Sequence, residues 1–483
     1  MKSSSRFSEN SRGLPGLVLV LLFITEPVSG QVPRYSRTTT TGTFNGKELA
    51  YTAVAEETLL YGNGDTDPAA SVITFSYFSG NDELKKVRPV IFIFNGGPGA
   101  SSSPLHLHAF GPRIFPASGH GPMTGNNDCL LDVADLVFID PAGTGYTRIF
   151  KPDSCAKYWD VKGDAASIIY VIKKWQERYD RKDSPVYLCG ESYGTIRAAE
   201  MLGIGSDLPV AGVIMLSAAF DMSSWMPVAG NDLSYIESLP SMAAIAKYHG
   251  KGSLSEKDGS AAFSRAYGFA SGKYLSALAR GSSIPAAEKK RIASELSALT
   301  GLPADTILAR DLRISAEDFE MLLLAGENKR IGQLDGRKTG PSDNGLKPPY
   351  NDPSMGRSDT SAVRRMKEYF NNSLGLRDTG RYRSLNLDVN TRWSWTSALK
   401  EFYFTVLPEL SKAAAMNPDL KIMIAGGIFD LATPLAAARY QAEHSGIRAG
   451  RVIFEPFPTG HSIFEDPHEL KVLADMIRSF VSR

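Results

Sequence analysis

Val186-Tyr187-Leu188-Cys189-Gly190-Glu191-Ser192-Tyr193-Gly194-Thr195-Ile196-Arg197-Ala198-Ala199-Glu200-Met201-Leu202 is the stretch on which the reading of this chain turns. It opens with a short apolar run of strand formers and closes with a helix-compatible run. Between them lies G-x-S-x-G. A serine at so sharp a strand-to-helix turn is pushed into the open, and its neighbours must be small for the turn to close. Five letters alone arise by chance. With a strand before and a helix after, they make Ser192 a candidate nucleophile.

The surrounding chain repeats the strand signal. Pro89 to Phe94, Leu136 to Ile139, Val210 to Leu216, Lys421 to Ala425 and Arg451 to Phe454 are short and largely apolar, as strands buried on both faces should be. Asp160 to Tyr179 carries Val161, Ile168, Ile169, Ile172 and Trp175 at helical spacing. Strands alternating with helices predict an α/β protein with a mostly parallel central sheet and helices on both faces. Residues 31–80 add further strands, Leu49 to Thr58 and Ser71 to Phe78, with an Asn45-Gly46 turn signal before them. The alternation lapses between 222 and 395. There the pattern is helical, as in Ala286 to Leu299 and Ser315 to Leu324, and a polar, Gly/Pro-rich loop follows from Asp335 to Asp359. The expected organisation is a core in two parts, 31–221 and 396–483, with a helical insertion or cap at 222–395.

The first 30 residues stand apart. Lys2, Arg6 and Arg12 precede the apolar run Leu14 to Ile24, and Val28-Ser29-Gly30 supplies small residues for cleavage after Gly30. The run is too short to span ~30 Å of hydrocarbon comfortably. A signal peptide at 1–30 is therefore expected, with export to the periplasm or medium and no membrane association after cleavage. The 53 basic and 52 acidic residues give a net charge of +1, which offers no attraction to nucleic acid or an anionic membrane. Ala293 to Arg313 has the outline of a helix-turn-helix but reads as ordinary helix packing. The three cysteines are too few for a disulfide framework and too scattered for a metal site. Cys189 reads as a buried free thiol, and pairing of Cys129 with Cys155 is left open. Asn371-Asn372-Ser373 is a glycosylation sequon. No cofactor is expected, and monomer and homodimer both remain open.

A serine hydroxyl needs a base, and the base needs an orienting carboxylate. On a G-x-S-x-G turn of this kind the chain order is Ser, Asp or Glu, then His. Asp430 ends Gly426-Gly427-Ile428-Phe429-Asp430, just past the strand Ile422 to Ala425. His461 ends Thr459-Gly460-His461, just past Val452 to Phe454. Both lie past strand carboxyl ends, where such sheets gather their catalytic groups. Of seven histidines, only His106 and His108 rival His461 as base. The oxyanion requires two donors. These are expected from the backbone N–H of Tyr193 and of Gly97 in Asn95-Gly96-Gly97-Pro98-Gly99.

Taken together, Asn95 to Ser102, Phe138-Ile139-Asp140-Pro141-Ala142-Gly143-Thr144-Gly145-Tyr146, Gly190 to Gly194, Gly427 to Asp430 and Gly460-His461 resemble the serine carboxypeptidase family. The order and spacing fit from about residue 40 to the end. Ile331-Gly332-Gln333-Leu334-Asp335-Gly336-Arg337 resembles the insertion of bacterial members. The resemblance implies the α/β-hydrolase fold and a peptide substrate shortened by one residue at its carboxyl end. It also implies binding of the terminal carboxylate by Asn95 and Glu191. Burial is expected to raise the Glu191 pKa so that its carboxyl can donate. Three features depart from the family. Ala109 stands where better-known members carry a second glutamic acid, Ile93 replaces a tryptophan, and the eukaryotic cysteine pattern is missing. Without the second acid, a narrower or more acidic pH window is expected. Arg113 is either a substitute positive charge or a solvated side chain. An esterase or acyltransferase on the same scaffold is the alternative activity, and a non-catalytic binding protein the alternative class.

Overall fold

A computed structural model describes residues 32–482, apart from 63, 81–86, 117–120, 205–206, 356–359, 379 and 401–402. The expected export signal lies outside the described residues. Strands β1 (Tyr35–Phe44) and β2 (Lys47–Tyr61) form a hairpin closed by Asn45 and Gly46, whose φ values are 49° and 73°. Two successive left-handed residues are what a tight two-residue hairpin turn requires, and Asn-Gly supplies them at low cost. β3 (Pro68–Ser79) continues the meander.

The apolar runs then become β4 (Val90–Phe94), β5 (Asp135–Asp140), β6 (Val186–Glu191), β7 (Val210–Leu216), β8 (Lys421–Gly427) and β9 (Val452–Phe457). With β1 to β3 they make one nine-stranded sheet in the order β1-β2-β3-β5-β4-β6-β7-β8-β9. The pairs from β1 through β5 are antiparallel, and every pair from β5 to β9 is parallel.

Alternation in β4 shows why its run is wholly apolar. Val90, Phe92 and Phe94 belong to one buried cluster with Ile168, Ile172 and Trp175, while Ile91 and Ile93 belong to a second with Leu473 and Ile477 of the terminal helix Pro467–Ser482. Both faces are buried, so no position is left for a polar residue. The helix Val161–Tyr179 starts where Asp160 accepts the Gly163 amide at 2.8 Å, and ends at Asp180 in the left-handed region. This is the α/β-hydrolase arrangement expected from the sequence.

Between β7 and β8 lie the helices Leu233–Tyr248, Gly259–Phe269, Ala286–Thr300, Ala304–Ala309 and Ala316–Leu322 among others. Ile292, Leu296, Leu299 and Ile307 bury the apolar faces of the helix-turn-helix look-alike in the core. Pro33–Arg483 forms one compact unit. The segment expected as a loop from Asp335 to Asp359 supplies one strand of a short ladder, Lys329–Ile331 against Thr339–Pro341, whose tip is residues 332–338. Strands of three residues, mostly polar, carry too little periodicity to be read in advance. All three cysteines are buried and free, Cys129 and Cys155 included. No described helix is long and apolar enough to cross a membrane.

Candidate active site

β6 ends at Glu191, and the helix Tyr193–Gly203 begins after one intervening residue. Ser192 makes the whole turn, with φ 58° and ψ −129°. A side-chain-bearing residue adopts that conformation only where its surroundings impose it. Close packing imposes it here: a Cβ on Gly194 would lie 2.9 Å from the Phe94 carbonyl oxygen. Beneath the turn, the buried Arg197 donates to Asp164 at 2.7 Å and to the Asn95 carbonyl at 2.7 Å, and Tyr193 donates to Asp164 at 3.0 Å. A buried cation with these partners is satisfied, and it joins the elbow helix to the loop after β4.

Asp430 follows β8 and is fully buried. One carboxylate oxygen accepts the amides of Ala432 at 2.8 Å and Thr433 at 3.2 Å; the other accepts Thr433 Oγ1 at 2.8 Å and His461 Nδ1 at 2.7 Å. So held, the carboxylate fixes the imidazole's tautomer and leaves Nε2 free of hydrogen bonds among the described residues. Burial disfavours the imidazolium, but Asp430, Glu191 and Glu465 outweigh it and raise the His461 pKa to about 9.

Ser192 stands between two links to this histidine. Its predecessor Glu191 accepts Ser462 Oγ at 3.1 Å, and Ser217, beyond the Leu216 carbonyl that holds the Ser192 amide, donates to the His461 carbonyl at 2.5 Å. Among the described residues, the Ser192 hydroxyl and the imidazole are not hydrogen-bonded to each other; such bonds often tighten only with substrate. The rival histidines sit elsewhere. His106 is buried in the turn Leu105–Phe110, bonded to Tyr77 at 2.7 Å, and burial lowers its pKa to about 3. His108 is exposed against the Phe115 ring.

The Asn95-Gly96-Gly97 loop presses on the elbow. A Cβ on Gly96 would meet the Tyr193 amide and lie 2.8 Å from the Glu191 carbonyl oxygen. Gly97 follows with φ 98°. Among the described residues, neither the Gly97 nor the Tyr193 amide donates to a protein acceptor, so both are available as a donor pair. Asn95 Nδ2 donates to Glu191 Oε2 in a short bond, and Asn95 Oδ1 accepts the Leu105 amide at 3.1 Å. Burial raises the Glu191 pKa, against the pull of His461 and of the bonds from Ser462 and Asn95.

Ala109 is buried in the Leu105–Phe110 turn and brings no carboxyl to it. Arg113 is exposed and donates to the Met123 carbonyl at 2.7 Å, not to Glu191 or Asn95. Sequence reasoning missed Ser462 and Thr433. Thr433 had a signal, since a hydroxyl three residues past an aspartate in a turn is placed to bond it. Ser462 had none beyond adjacency to His461.

Residues 61–200 match the family described as serine carboxypeptidase. Among similar proteins, serine carboxypeptidase-like 40 of Arabidopsis thaliana is 28% identical over 130 residues, 25% of this chain and 24% of that one. A carboxypeptidase Y homolog of Arthroderma benhamiae is 29% identical over 133 residues, 27% of this chain and 26% of its own. The chain thus spans about a quarter of the length of the relatives it matches. The solved structure of Kex1Δp, a prohormone-processing carboxypeptidase from Saccharomyces cerevisiae, shares the fold. Its TM-score is 0.54 at 13% identity, over 88% of this chain and 91% of that one. The matched segment holds the Asn95 loop and the Ser192 elbow of this chain, and the Kex1Δp structure shares its fold.

Proposed function

We propose that the chain is a serine-type carboxypeptidase. Ser192 Oγ attacks the last peptide carbonyl, and His461 Nε2 takes its proton and returns it to the leaving amine. Asp430 holds the imidazole's tautomer and stabilises the imidazolium. The Gly97 and Tyr193 amides bind the oxyanion. Water then discharges the acyl-enzyme. Asn95 and a protonated Glu191 bind the terminal carboxylate, which selects free acids over amides. The observation that carries this reading is the pairing of Asn95 with Glu191 beside a serine elbow whose neighbouring loops carry a bonded Asp430–His461 pair. A hydrogen-bonded Asn95–Glu191 pair can offer donors to a free terminal carboxylate, a group that an ester or amide substrate lacks. The 222–395 insertion serves as a cap, a role supported by the bond from the His461 amide to the Leu334 carbonyl at 2.6 Å. Export rests on the 1–30 pattern.

The test is labelling by a fluorophosphonate probe with Ser192→Ala as control, together with release of the terminal residue from blocked dipeptides. Ser192→Ala should fold normally and lose activity by about 10⁴ or more. Near-normal turnover in the purified variant refutes the assignment.

A further inference from the structure

The segment Ile331 to Arg337 takes no part in the chemistry above, yet it is bonded to both loops that carry it. The Leu431 amide donates to the Gln333 carbonyl at 2.9 Å, and the Gly336 amide donates to the Phe429 carbonyl at 2.9 Å. These two bonds flank Asp430. On the other loop, the His461 amide donates to the Leu334 carbonyl at 2.6 Å, and Arg337 Nη1 donates to the Pro458 carbonyl at 3.0 Å.

Arg337 and Asp335 hold the tip in shape. The guanidinium gives Nε to Asp335 Oδ1 and Nη2 to Oδ2, both at 2.9 Å, and the Arg337 amide adds a third bond at 3.0 Å. The same guanidinium lies over the Phe429 ring, 5.1 Å from its centre. Asp335 is buried, and its Cγ would lie 2.7 Å from a Cβ on Gly460, beside His461. The tip is itself anchored from the insertion: His249 Nε2 is bonded to the Gly336 carbonyl at 2.8 Å, and Asp352 accepts the Gln333 amide at 3.1 Å.

This geometry answers a mechanical need. β8 ends at Gly427 and β9 at Phe457, so Asp430 and His461 lie three and four residues beyond the sheet that fixes their strands. Loops past strand ends move more than the strands do. Two bonds tie the loops directly, Ile428 N to Phe457 O at 2.9 Å and Phe429 N to Thr459 O at 3.0 Å, both before the reacting side chains. The tip adds bonds on the far side. A two-pronged arginine suits the task, because the planar fork sets its own angle against the carboxylate while a remaining N–H reaches the second loop.

We propose that the Asp335–Arg337 pair is a positioning clamp that locks the Asp430 loop to the His461 loop and so sets the imidazole against Ser192. The proposal rests on the serine hydrolase reading. It is tested in the full chain with Arg337→Gln, Asp335→Asn, their combination, and Arg337→Lys. The readouts are kcat and KM on a blocked dipeptide, the fluorophosphonate labelling rate and the melting temperature. Each single variant should lower kcat and the labelling rate about 10- to 100-fold, the scale of a misplacement near 1 Å, with KM within about twofold. The double variant should be no worse than the poorer single one, since both break one unit. Arg337→Lys keeps a cation beside the buried carboxylate and is the variant to rely on if the others do not fold; it loses the fork and should fall between parent and Arg337→Gln. A lowered melting temperature with unchanged kcat per labelled site in these variants overturns the clamp. If the parent itself is not labelled at Ser192, the hydrolase reading fails first; if it is labelled and the variants react at its rate, only the clamp fails.

Discussion

Replacing Glu191 by glutamine should speed the enzyme on substrates that lack a terminal carboxylate. On the proposed reading His461 must be neutral to accept the Ser192 proton, yet its pKa is raised to about 9. At pH 7 that leaves roughly 1% of the imidazole as base. Asp430, Glu191 and Glu465 face the ring and favour the charged form, against burial. Asp430 is the nearer, hydrogen-bonded partner, so Glu191 is assigned the low end of the usual effect of a nearby charge, about one pKa unit or ~1.4 kcal/mol. Glu191→Gln removes that charge and keeps the packing. The amide oxygen still accepts Asn95 Nδ2, and the amide nitrogen can donate to the Ser462 hydroxyl, which turns to accept. The His461 pKa then falls to about 8, and the neutral share at pH 7 rises roughly tenfold. The assay is kcat/KM against pH for a blocked dipeptide amide, in parent and variant. The acid limb should move down by about one pH unit and the pH 7 value should rise about tenfold. An unmoved acid limb refutes the electrostatic link between Glu191 and His461.

Two further outcomes follow from the same structure. Asp430→Asn should cost about 10⁴ in kcat, because an amide can hold the imidazole in the wrong tautomer, with KM little changed on the same dipeptides. Glu57 accepts two guanidinium groups, from Arg34 at 3.0 Å and Arg148 at 2.6 Å, and although burial opposes its charge, these bonds hold its pKa down to about 2 from an ordinary 4.5. A folded pKa below the unfolded one stabilises above the unfolded value and is lost as pH falls. Glu57→Gln should therefore reduce unfolding free energy by about 3 kcal/mol at pH 7, with the gap closing between roughly pH 4.5 and 2 in urea titrations.

What could be read in advance was what short-range chemistry dictates. Pro89 to Phe94 and Val186 to Cys189 announced buried strands because both of their faces are covered. The turn at Ser192 and the placing of Asp430 and His461 past strand ends were legible because a sharp turn and two strand ends leave a limited choice of position. Strand limits were less legible: β6 runs on through Gly190 and Glu191, since these still pair with Met215 and Leu216 on β7. That pairing depends on a neighbour 25 residues away. Ser462 and the Asp335–Arg337 pair were hidden for the same reason. Each acts on a residue brought close only by the fold, and neither has a local pattern to mark it. Ala109 was legible as a loss, while its consequence was not.

That consequence runs through His461. From Ala109 alone, an isolated Glu191 should bind a carboxylate only over an acidic range. In the fold Glu191 is not isolated: burial raises its pKa, its charge raises that of His461, and the two titrate as a pair. Where this pair holds one proton, the two groups share it. An incoming carboxylate repels ionised Glu191 and draws that proton onto it, where it becomes the donor the substrate needs. The same transfer leaves His461 neutral, ready to act as base. On the proposed carboxypeptidase reading, binding of a free acid and activation of the nucleophile are then one event, with no net uptake of protons from solvent. An amide substrate has no means to trigger it. KM for the free acid should therefore stay level through neutral pH and worsen only as the pair loses its proton towards about pH 9, while the amide shows no such rise. In Glu191→Gln the free acid curve should be flat. If KM for the free acid in the parent instead climbs between pH 5 and 7, Glu191 titrates alone and the missing second acid at Ala109 narrows the working range after all.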